Sequence, residues 1–454
     1  MNKIKNIDIN KLFIIIASIL GITFSILFPL YQTPDELTHI DMIYEERNIK
    51  ASFLEINEGY SGTENIMNNE NQKVNLKEYF DFTKKINLKT SFVLPKITII
   101  RHFPQWIGMI IGEQLHLPIF FYFTLCELMA LTFYIIICNK ALKKMPEKKE
   151  LMMLIMLLPV CCQQMSSFSY DVMLNSCSFL FIATIFELKS NNRYLRTMDF
   201  FKLIGLLIII GICKIPYVFL GFLCLILFDT SQIKLLKKRQ KIILVLTTII
   251  LIVIFMIIGY HILIKYNIGR LLISSLINPI NTIKLYYRTL AHFIIGYFES
   301  IVGNLGWFDV KVSRVFVVLV YLFMIILTIF DLNNKNNQQN KLIIKNKDKI
   351  IILITALALV YLIILSMFNW TLFLEGITNY NNLSLSEYAR YLKTMKAIVG
   401  VQGRYFIPII PLILIPVKRK KNKNLKINLN IIMIIYFIIM CIYYIYILLN
   451  RYWI

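Results

Sequence analysis

Charge is scarce in this sequence, and acidic residues are scarcer than basic ones. Charged side chains make up 17% of the 454 residues, against about 25% in an ordinary soluble domain. Hydrophobic residues make up 57% and stand in long uninterrupted runs, with a mean hydropathy of +0.65. This distribution excludes a water-soluble enzyme.

Several familiar patterns are also missing. The eight cysteines all lie in apolar runs, where small buried thiols are ordinary, so they do not indicate a disulfide framework. The sequence contains no Walker loop, no G-x-G-x-x-G after a strand, no H-E-x-x-H and no paired C-x-x-C. We therefore expect neither a nucleotide-binding site nor a structural zinc site.

The apolar runs predict an all-α polytopic membrane protein with about eleven transmembrane helices, in which residues 1–454 form a single integral membrane domain. Four of the runs are short, and each lies near a proline or a polar break. Short or broken helices persist at membrane depth only beside protein or a water-filled cavity, so we expect the helices to surround a hydrated cavity. In chain order the runs cover roughly residues 12–30, 118–138, 151–165, 172–188, 200–213, 215–228, 242–264, 314–330, 350–368, 405–417 and 427–449.

The basic residues sort by loop. Lysine and arginine concentrate in alternate loops, whereas segment 163–171 has none. This positive-inside pattern predicts a cytoplasmic N-terminus and an outer C-terminus, and it explains the net charge of +23 without nucleic acid as a partner. Three outer segments follow from it: a large first loop at 31–117, and amphipathic segments at 265–313 and 369–404.

The most informative stretch follows the first apolar run and reads Thr33-Pro34-Asp35-Glu36-Leu37-Thr38-His39. Asp35 and Glu36 come a few residues after the run, which places two carboxylates at the outer membrane surface. A partly desolvated carboxylate is a better general base, and adjacent carboxylates with His39 nearby also suit a divalent metal. The alternative is structural, with Thr33 as N-cap and Glu36 as third helical residue in a capping box.

Isolated cations stand near the predicted outer ends of helices. Arg101 and His102 lie where the first outer loop returns to the membrane, Lys214 interrupts an apolar pair of helices, and Arg404 begins a proline-rich helix against the helix dipole. Each suits an anionic partner such as a carboxylate or a lipid phosphate. The alternatives are solvation for Arg101 and His102, snorkelling for Lys214 and interface anchoring for Arg404.

Two further features have ready structural interpretations. Gly108 and Gly112 make a G-x-x-x-G spacing, which is typical of close helix packing. Asp171 ends a tight polar turn between two short apolar runs, where an N-cap is as natural as a functional carboxylate.

Taken together, these motifs resemble those of a bacterial family of polytopic membrane proteins, long labelled only as a domain of unknown function and grouped with the GT-C glycosyltransferases. The resemblance runs from residue 12 to about 417, and one departure from it is the stretch 96–102, where a tyrosine- and proline-rich approach is expected. Its more specific motifs are the P-D-E-x-x-H pattern of Pro34 to His39 and the stretch from Gly400 to Pro408. The weaker ones, in the expected order, are Phe103-Pro104-Gln105, Ser169-Tyr170-Asp171, Lys214-Ile215-Pro216 and Gly306-Trp307.

The resemblance implies a GT-C-like fold and a membrane glycosyltransferase. Such an enzyme would move a sugar from a polyprenyl-phosphate donor to a glycan or lipid acceptor on the outer face of the bacterial cell (inner or plasma) membrane. Asp35 matches the position of the catalytic base best and Glu36 second, and both are the expected ligands of any divalent cation, Mg or Mn. The residues expected to bind substrate are His39, Arg101, His102, Gln105, Tyr170, Asp171, Lys214, Tyr217, Trp307, Gln402, Arg404 and Tyr405.

Two other functions remain as alternatives. A flippase or other transporter for lipid-linked glycans should place charges along a path through the membrane midplane, whereas here they cluster at the predicted outer end. A polysaccharide polymerase should use a large later loop rich in arginine, whereas here the largest loop is the first. The glycosyltransferase is therefore the favoured interpretation.

Overall fold

The computed structural model of the protein describes residues 8–48, 71–84, 94–191, 195–227, 268–331, 342–418, 420–421 and 429–454. The described residues are helical apart from turns and two minor pairings. One is an isolated bridge between Leu305 and Val310. The other joins Phe330–Asp331 (β1) in parallel to Lys420–Lys421 (β2). The predicted all-α class is therefore confirmed.

The helices follow the apolar runs of the sequence. In chain order the α-helices are α1 (Ile9–Leu27), α2 (Glu36–Glu46), α3 (Leu76–Tyr79), α4 (Phe103–Gln114), α5 (Ile119–Lys144), α6 (Lys149–Met156), α7 (Pro159–Met165), α8 (Asp171–Ser190), α9 (Thr197–Cys213), α10 (Ile268–Ile277), α11 (Pro279–Val302), α12 (Arg314–Ile329), α13 (Asn346–Ser366), α14 (Phe368–Leu374), α15 (Leu385–Thr394), α16 (Ile410–Leu414) and α17 (Leu429–Leu448). The 3-10 helices are Ile97–His102, Ile215–Leu227, Tyr380–Asn382 and Gly403–Ile409, and a π-helical segment, Leu449–Trp453, extends α17.

Five helical stretches are long and apolar enough to cross a membrane. They are α1, α5, α8, α13 continued by α14, and α17 with its π-helical extension. Shorter apolar helices lie at Ile215–Leu227, Arg314–Ile329 and Gly403–Leu414. The protein is thus a membrane protein with several candidate spans, while the total of about eleven stays a prediction. Of the apolar runs, 242–264 lies outside the described residues.

The short runs are broken for a local reason. Residues 151–165 form two helices, α6 and α7, and the break falls where Pro159 begins α7. Proline has no backbone N–H to donate and holds the residue before it in an extended conformation, so one continuous helix cannot form. Pro408 lies inside the 3-10 helix Gly403–Ile409 in the same way, and Pro411 follows at the start of α16.

Helix α8 lies at the centre of the protein. Its most apolar stretch is 89% buried, against 44% for α1 and α5, and it packs on α5, α9 and the 3-10 helix Ile215–Leu227. Helix α1 instead exposes a row of isoleucines that includes Ile15, Ile19 and Ile26, as expected of a face turned to lipid. The central position of α8 means that its first residue, Asp171, is held by packing on several sides.

Close packing of α4 on α5 confirms the interpretation of the G-x-x-x-G spacing. A Cβ atom at Gly108 would lie 2.6 Å from Cys126 Cα, and one at Gly112 would lie 2.6 Å from the ring of Tyr122. At Gly108 the obstacle is backbone, which cannot rotate aside. The two helices therefore approach as closely as they do because both positions lack a side chain.

We expect Gly108→Val to destabilise the protein by about 1–3 kcal/mol, because the added methyl groups must push α4 away from α5. The measurement is the thermal unfolding of purified protein in one fixed detergent. Gly205→Val is the matched control, since a Cβ at Gly205 on α9 would meet no atom within 4 Å. Equal melting temperatures for the two variants would contradict the packing argument.

The π-helical segment after α17 ties three parts of the chain together. Val74 donates its backbone N–H to the carbonyl of Tyr452 at 2.8 Å. The Arg451 guanidinium pairs with Asp309 at 2.6 Å, and both side chains are largely buried. Residues 449–453 therefore act as a clamp on the end of the bundle where the turn 305–310 lies.

Candidate active site

Five chain segments begin or end at one place in the fold. Asp35 lies between α1 and α2, Gln164 near the end of α7, Asp171 at the start of α8, Lys214 after α9, and Arg404 at the start of the 3-10 helix Gly403–Ile409. Contacts of Arg404 reach three of these segments. The structure thus brings together side chains that are far apart in the sequence, and four of the five are predicted site residues.

Asp35 occupies a backbone conformation that is unusual for a residue other than glycine. It is the N-cap of α2 with φ 64° and ψ 10°, in the left-handed region, and its side chain makes no capping hydrogen bond. The expected capping box with Thr33 as N-cap is therefore wrong, because the helix begins only at Glu36. Its carboxylate, 43% exposed, instead forms an ion pair with Arg404. Strained residues of this kind concentrate at functional sites.

Arg404 is a buried cation between two carboxylates. Its side chain is only 5% exposed; Nη2 donates to Asp35, and Nε lies 3.6 Å from Oδ2 of Asp171. Nη1 donates to the carbonyl of Pro34 at 3.3 Å and to Oε1 of Gln164 at 3.5 Å. The anionic partners present are therefore carboxylates, and the expected contact with a donor phosphate stays a prediction.

Lys214 supplies a second cation next to Tyr405. Its Nζ lies 3.2 Å from the centroid of the Tyr405 ring, a cation–π contact, and it interacts electrostatically with Asp171 and Asp35. Tyr217 donates its hydroxyl hydrogen to the backbone carbonyl of Tyr405 and so fixes the position of the ring. Three predicted residues, Lys214, Tyr217 and Tyr405, thus form one unit beside Arg404.

Glu36 turns away from its neighbour Asp35 and anchors the turn before α2. Only 1% of the residue is exposed. Its carboxylate accepts backbone N–H groups from Tyr31 at 2.9 Å, Thr33 at 3.4 Å and Phe168 at 3.3 Å. It therefore joins the α1–α2 turn to the α7–α8 turn, and the two adjacent acids have different surroundings.

These contacts leave little of either carboxylate free for the expected Mg or Mn ion. Arg404 takes one oxygen of Asp35, and backbone N–H groups take both oxygens of Glu36. Within the described ranges, no group of three or more His, Cys, Asp or Glu side chains is placed to hold a metal. The surroundings of these two carboxylates therefore do not fit a reaction step on a bound metal ion.

A chain of buried hydrogen bonds leads away from His39, one turn after Asp35. His39 Nδ1 lies 3.1 Å from Nε2 of His102, and His102 Nδ1 lies 3.3 Å from Oε2 of Glu46. The Glu46 carboxylate also pairs with Arg101, whose Nε donates to it at 2.7 Å, and Tyr170 stands edge-on to His39 with ring centroids 4.7 Å apart. The solvated alternative fits neither residue, because His102 is fully buried and the Arg101 side chain, 22% exposed, is paired with Glu46.

The hydrogen bonds assign the protons of this chain. Burial lowers the pKa of both imidazoles, so each ring is neutral near pH 7. Burial alone would raise the pKa of Glu46, but His102 and Arg101 outweigh it and hold that pKa below its usual value. The Glu46 carboxylate then accepts from His102 Nδ1, His102 Nε2 accepts from His39 Nδ1, and Nε2 of His39 is left as an acceptor.

The remaining predicted residues lie around the cluster in other roles. Gln105 donates through Nε2 to the carbonyl of Ser167 at 2.9 Å and so braces the α7–α8 turn. Trp307 donates through Nε1 to the carbonyl of Tyr31 at 2.9 Å. Gln402 lines a cavity next to Arg404. Their expected contacts with substrate stay predictions.

Sequence reasoning missed Glu46 and the pair Gln163 and Gln164. Glu46 follows His39 by seven residues, which places both on one face of α2, so the spacing was a usable signal. The glutamines are polar residues at the end of an apolar run and are both 2% exposed. Polar residues at the end of an apolar run are therefore candidate site residues in the same way as isolated charged residues.

The pKa of Glu36 makes folding stability depend on pH. Burial raises that pKa from 4.5 to about 7, against the opposing effect of the hydrogen bonds from Phe168, Thr33 and Tyr31. The unfolded chain therefore releases this proton at lower pH than the folded protein does. The contribution to stability is complete below pH 4.5 and is lost as the pH rises to about 7, by roughly 3 kcal/mol in all.

We expect the melting temperature of purified protein to fall between pH 4.5 and 7, and Glu36→Gln to flatten that fall. Glutamine keeps an oxygen that accepts backbone N–H groups but does not titrate. Glu45→Gln on the same helix is the control, because Glu45 is 75% exposed in its pair with Lys96. Parallel curves for wild type and Glu36→Gln would contradict the assignment.

Comparison with known proteins gives one finding. A family described as "Predicted membrane protein (DUF2142)" matches residues 18–413. No curated protein and no solved structure matches the chain.

Proposed function

This chain belongs to the DUF2142 family of predicted membrane proteins, and we propose that it is a GT-C-like glycosyltransferase. It would transfer a sugar from a polyprenyl-phosphate donor to a cell-envelope glycan or lipid acceptor on the outer face of the membrane. One observation carries the proposal: the part-exposed carboxylate of Asp35 is held by a buried arginine, with Lys214 nearby, where several helices end. A base beside cations at a membrane surface suits chemistry on a lipid-linked phosphate.

In the proposed reaction Asp35 takes the proton of the acceptor hydroxyl. The hydroxyl oxygen forms a bond to the anomeric carbon of the sugar, and the bond from that carbon to the phosphate oxygen breaks. Polyprenyl phosphate leaves with the electron pair, and the cations Arg404 and Lys214 stabilise its negative charge. The proton then passes from Asp35 to the solvent that reaches its carboxylate, which is 43% exposed, because burial lowers the pKa of His39 and keeps that imidazole neutral.

The pairing of Arg404 with Asp35 has a clear part in this scheme. A buried guanidinium holds the carboxylate in one orientation through a charge-assisted hydrogen bond. Asp171 also lies against Arg404, so the guanidinium is shared between two carboxylates and its position is fixed from both. The base is thus pre-positioned before substrate arrives.

The direct test uses membrane vesicles that contain the full chain. They are given polyprenyl phosphates that carry labelled neutral hexoses, and label is followed into the glycan and lipid fractions. Cells lacking the protein are compared in parallel by mass spectrometry of their envelope glycans. Transfer of label and loss of a glycan substituent support the proposal; movement of intact donor across the bilayer without transfer would replace it with the flippase alternative.

A further inference from the structure

A small cavity lies directly beside Arg404. It offers about 10 Å³ to the centres of water-sized molecules, which is room for about one water or one hydroxyl group. Its lining draws on α7, α11 and the segments around the turn 305–310 and Arg404. Its polar and aromatic lining residues include Gln163, Gln164, Phe308 and Gln402.

Two of the lining residues carry side-chain N–H donors without a hydrogen-bond partner in the described part of the chain. Gln163 and Gln164 are each 2% exposed, and neither Nε2 atom has a hydrogen-bond partner among the residues that the structure describes. Gln164 Oε1 accepts from Arg404, which fixes its amide so that Nε2 is the unused end. A buried donor left without a partner costs folding free energy, so two side by side indicate a ligand.

The unused groups match a hydroxyl better than an anion. Gln402 Oε1 is a buried acceptor that also lacks a partner in the described part of the chain, so the cavity holds donors and an acceptor together. A hydroxyl both donates and accepts, whereas a phosphate or carboxylate only accepts. Arg404 is the cation at this cavity, and Asp35 and Asp171 already share it.

Phe308 adds an apolar surface held under strain. Its φ is 68°, in the left-handed region, and its ring borders the cavity while 39% exposed. The bridge between Leu305 and Val310 closes the turn that imposes this conformation. A strained backbone conformation is expected at a ligand site where it positions a side chain for contact. The face of an aromatic ring packs well against the C–H face of a sugar ring.

We propose that this cavity receives a hydroxyl or hydroxymethyl group of a neutral sugar, with Gln163 and Gln164 donating to it and Gln402 accepting from it. The proposal rests on the proposed function, because the sugar would be the one transferred at Asp35. It also selects against sugars that carry a carboxylate at this position, since a carboxylate has no hydrogen to donate to Gln402 Oε1.

Binding to purified full chain in nanodiscs tests the proposal, with three probes. Farnesyl phosphate carries the phosphate alone, farnesyl phosphate linked to glucose carries phosphate and sugar, and methyl glucoside carries the sugar alone. Gln163→Leu and Gln164→Leu should each weaken binding of the glucose-linked probe roughly tenfold, the effect of one neutral hydrogen bond. Gln163→Leu should leave the binding of farnesyl phosphate unchanged, whereas Gln164→Leu also removes the hydrogen bond that Gln164 accepts from Arg404.

Thermal unfolding separates a binding role from a structural one. Gln163→Leu should leave the melting temperature unchanged or raise it, because it removes a buried donor that has no partner in the described part of the chain. Gln105→Leu is the matched control and should lower it, because the Gln105 amide already donates to Ser167 and Ser169. A fall in melting temperature for Gln163→Leu as large as that for Gln105→Leu would overturn the proposal.

The probes also separate failure of this site from failure of the proposed function. If the glucose-linked probe binds wild type and both leucine variants with equal affinity, the hydroxyl site is wrong and the proposed function is retained. Methyl glucoside that binds through the glutamines, while neither farnesyl probe binds, would keep the site and overturn the function. No binding of any probe to wild type would overturn both.

Discussion

Asp35→Asn should insert into the membrane as the wild type does and transfer sugar roughly 10²–10⁴-fold more slowly, the usual loss on removing a general base. Asparagine has nearly the same shape, tolerates the left-handed backbone of this position and still accepts a hydrogen bond from Arg404. It cannot take a proton from the acceptor hydroxyl. The measurement is transfer of labelled sugar in vesicles matched for protein content.

Glu45→Gln is the control for this experiment, because it removes a carboxylate from the same helix at an exposed position. It should leave the transfer rate unchanged. An Asp35→Asn protein that transfers sugar at the wild-type rate would exclude Asp35 as the base, whatever the identity of the acceptor. A loss of expression would be seen in the protein content and would show a structural role for the ion pair instead.

Arg404→Gln should destabilise the protein by about 3–5 kcal/mol, as expected when one partner of a buried ion pair is removed. The change leaves Asp35 and Asp171 without their common cation, and Asp171 is 4% exposed. Arg404→Lys should restore only part of the loss, because a point charge cannot serve two carboxylates as a guanidinium does. Thermal unfolding in one detergent measures all three proteins.

Two further variants sharpen the result. Arg314→Gln removes an arginine whose side chain is 84% exposed, and exposed pairs contribute only about 0–1 kcal/mol, so its melting temperature should hardly move. Asp171→Asn combined with Arg404→Gln should be more stable than the sum of the single effects predicts, because the uncompensated charge is gone. Strict additivity would contradict a direct interaction between Arg404 and Asp171.

Much of the candidate site was visible in the sequence because charge is so rare in it. Arg404 stood out as a cation at the wrong end of a helix, and Lys214 as a charge between apolar runs, and both lie in the cluster around Asp171. Where nearly every side chain is apolar, each exception is informative, since its burial must be compensated.

Other features depended on tertiary contacts that no local pattern contains. The carboxylates of Asp35 and Glu36 were treated as a pair, yet the first faces Arg404 and the second binds the backbone of Phe168, which is 132 residues away. The helix begins at Glu36 with Asp35 as its N-cap, and the spacing of the motif left this arrangement and a capping box from Thr33 equally open. Hydropathy predicted where the helices lie in the sequence, but it did not predict which way each side chain points.

The separation between Asp35 and Arg404 has a consequence for biogenesis. The two residues are 369 positions apart, which at 5–20 residues per second is roughly 20–70 s of translation. The clamp at 449–453 is made later still, and through it Trp453 bonds to the carbonyl of Leu27 at 2.9 Å, close to the turn that carries Asp35. During that interval Asp35 lies in the nascent chain without its arginine, so the ion pair between the two residues forms only late in synthesis.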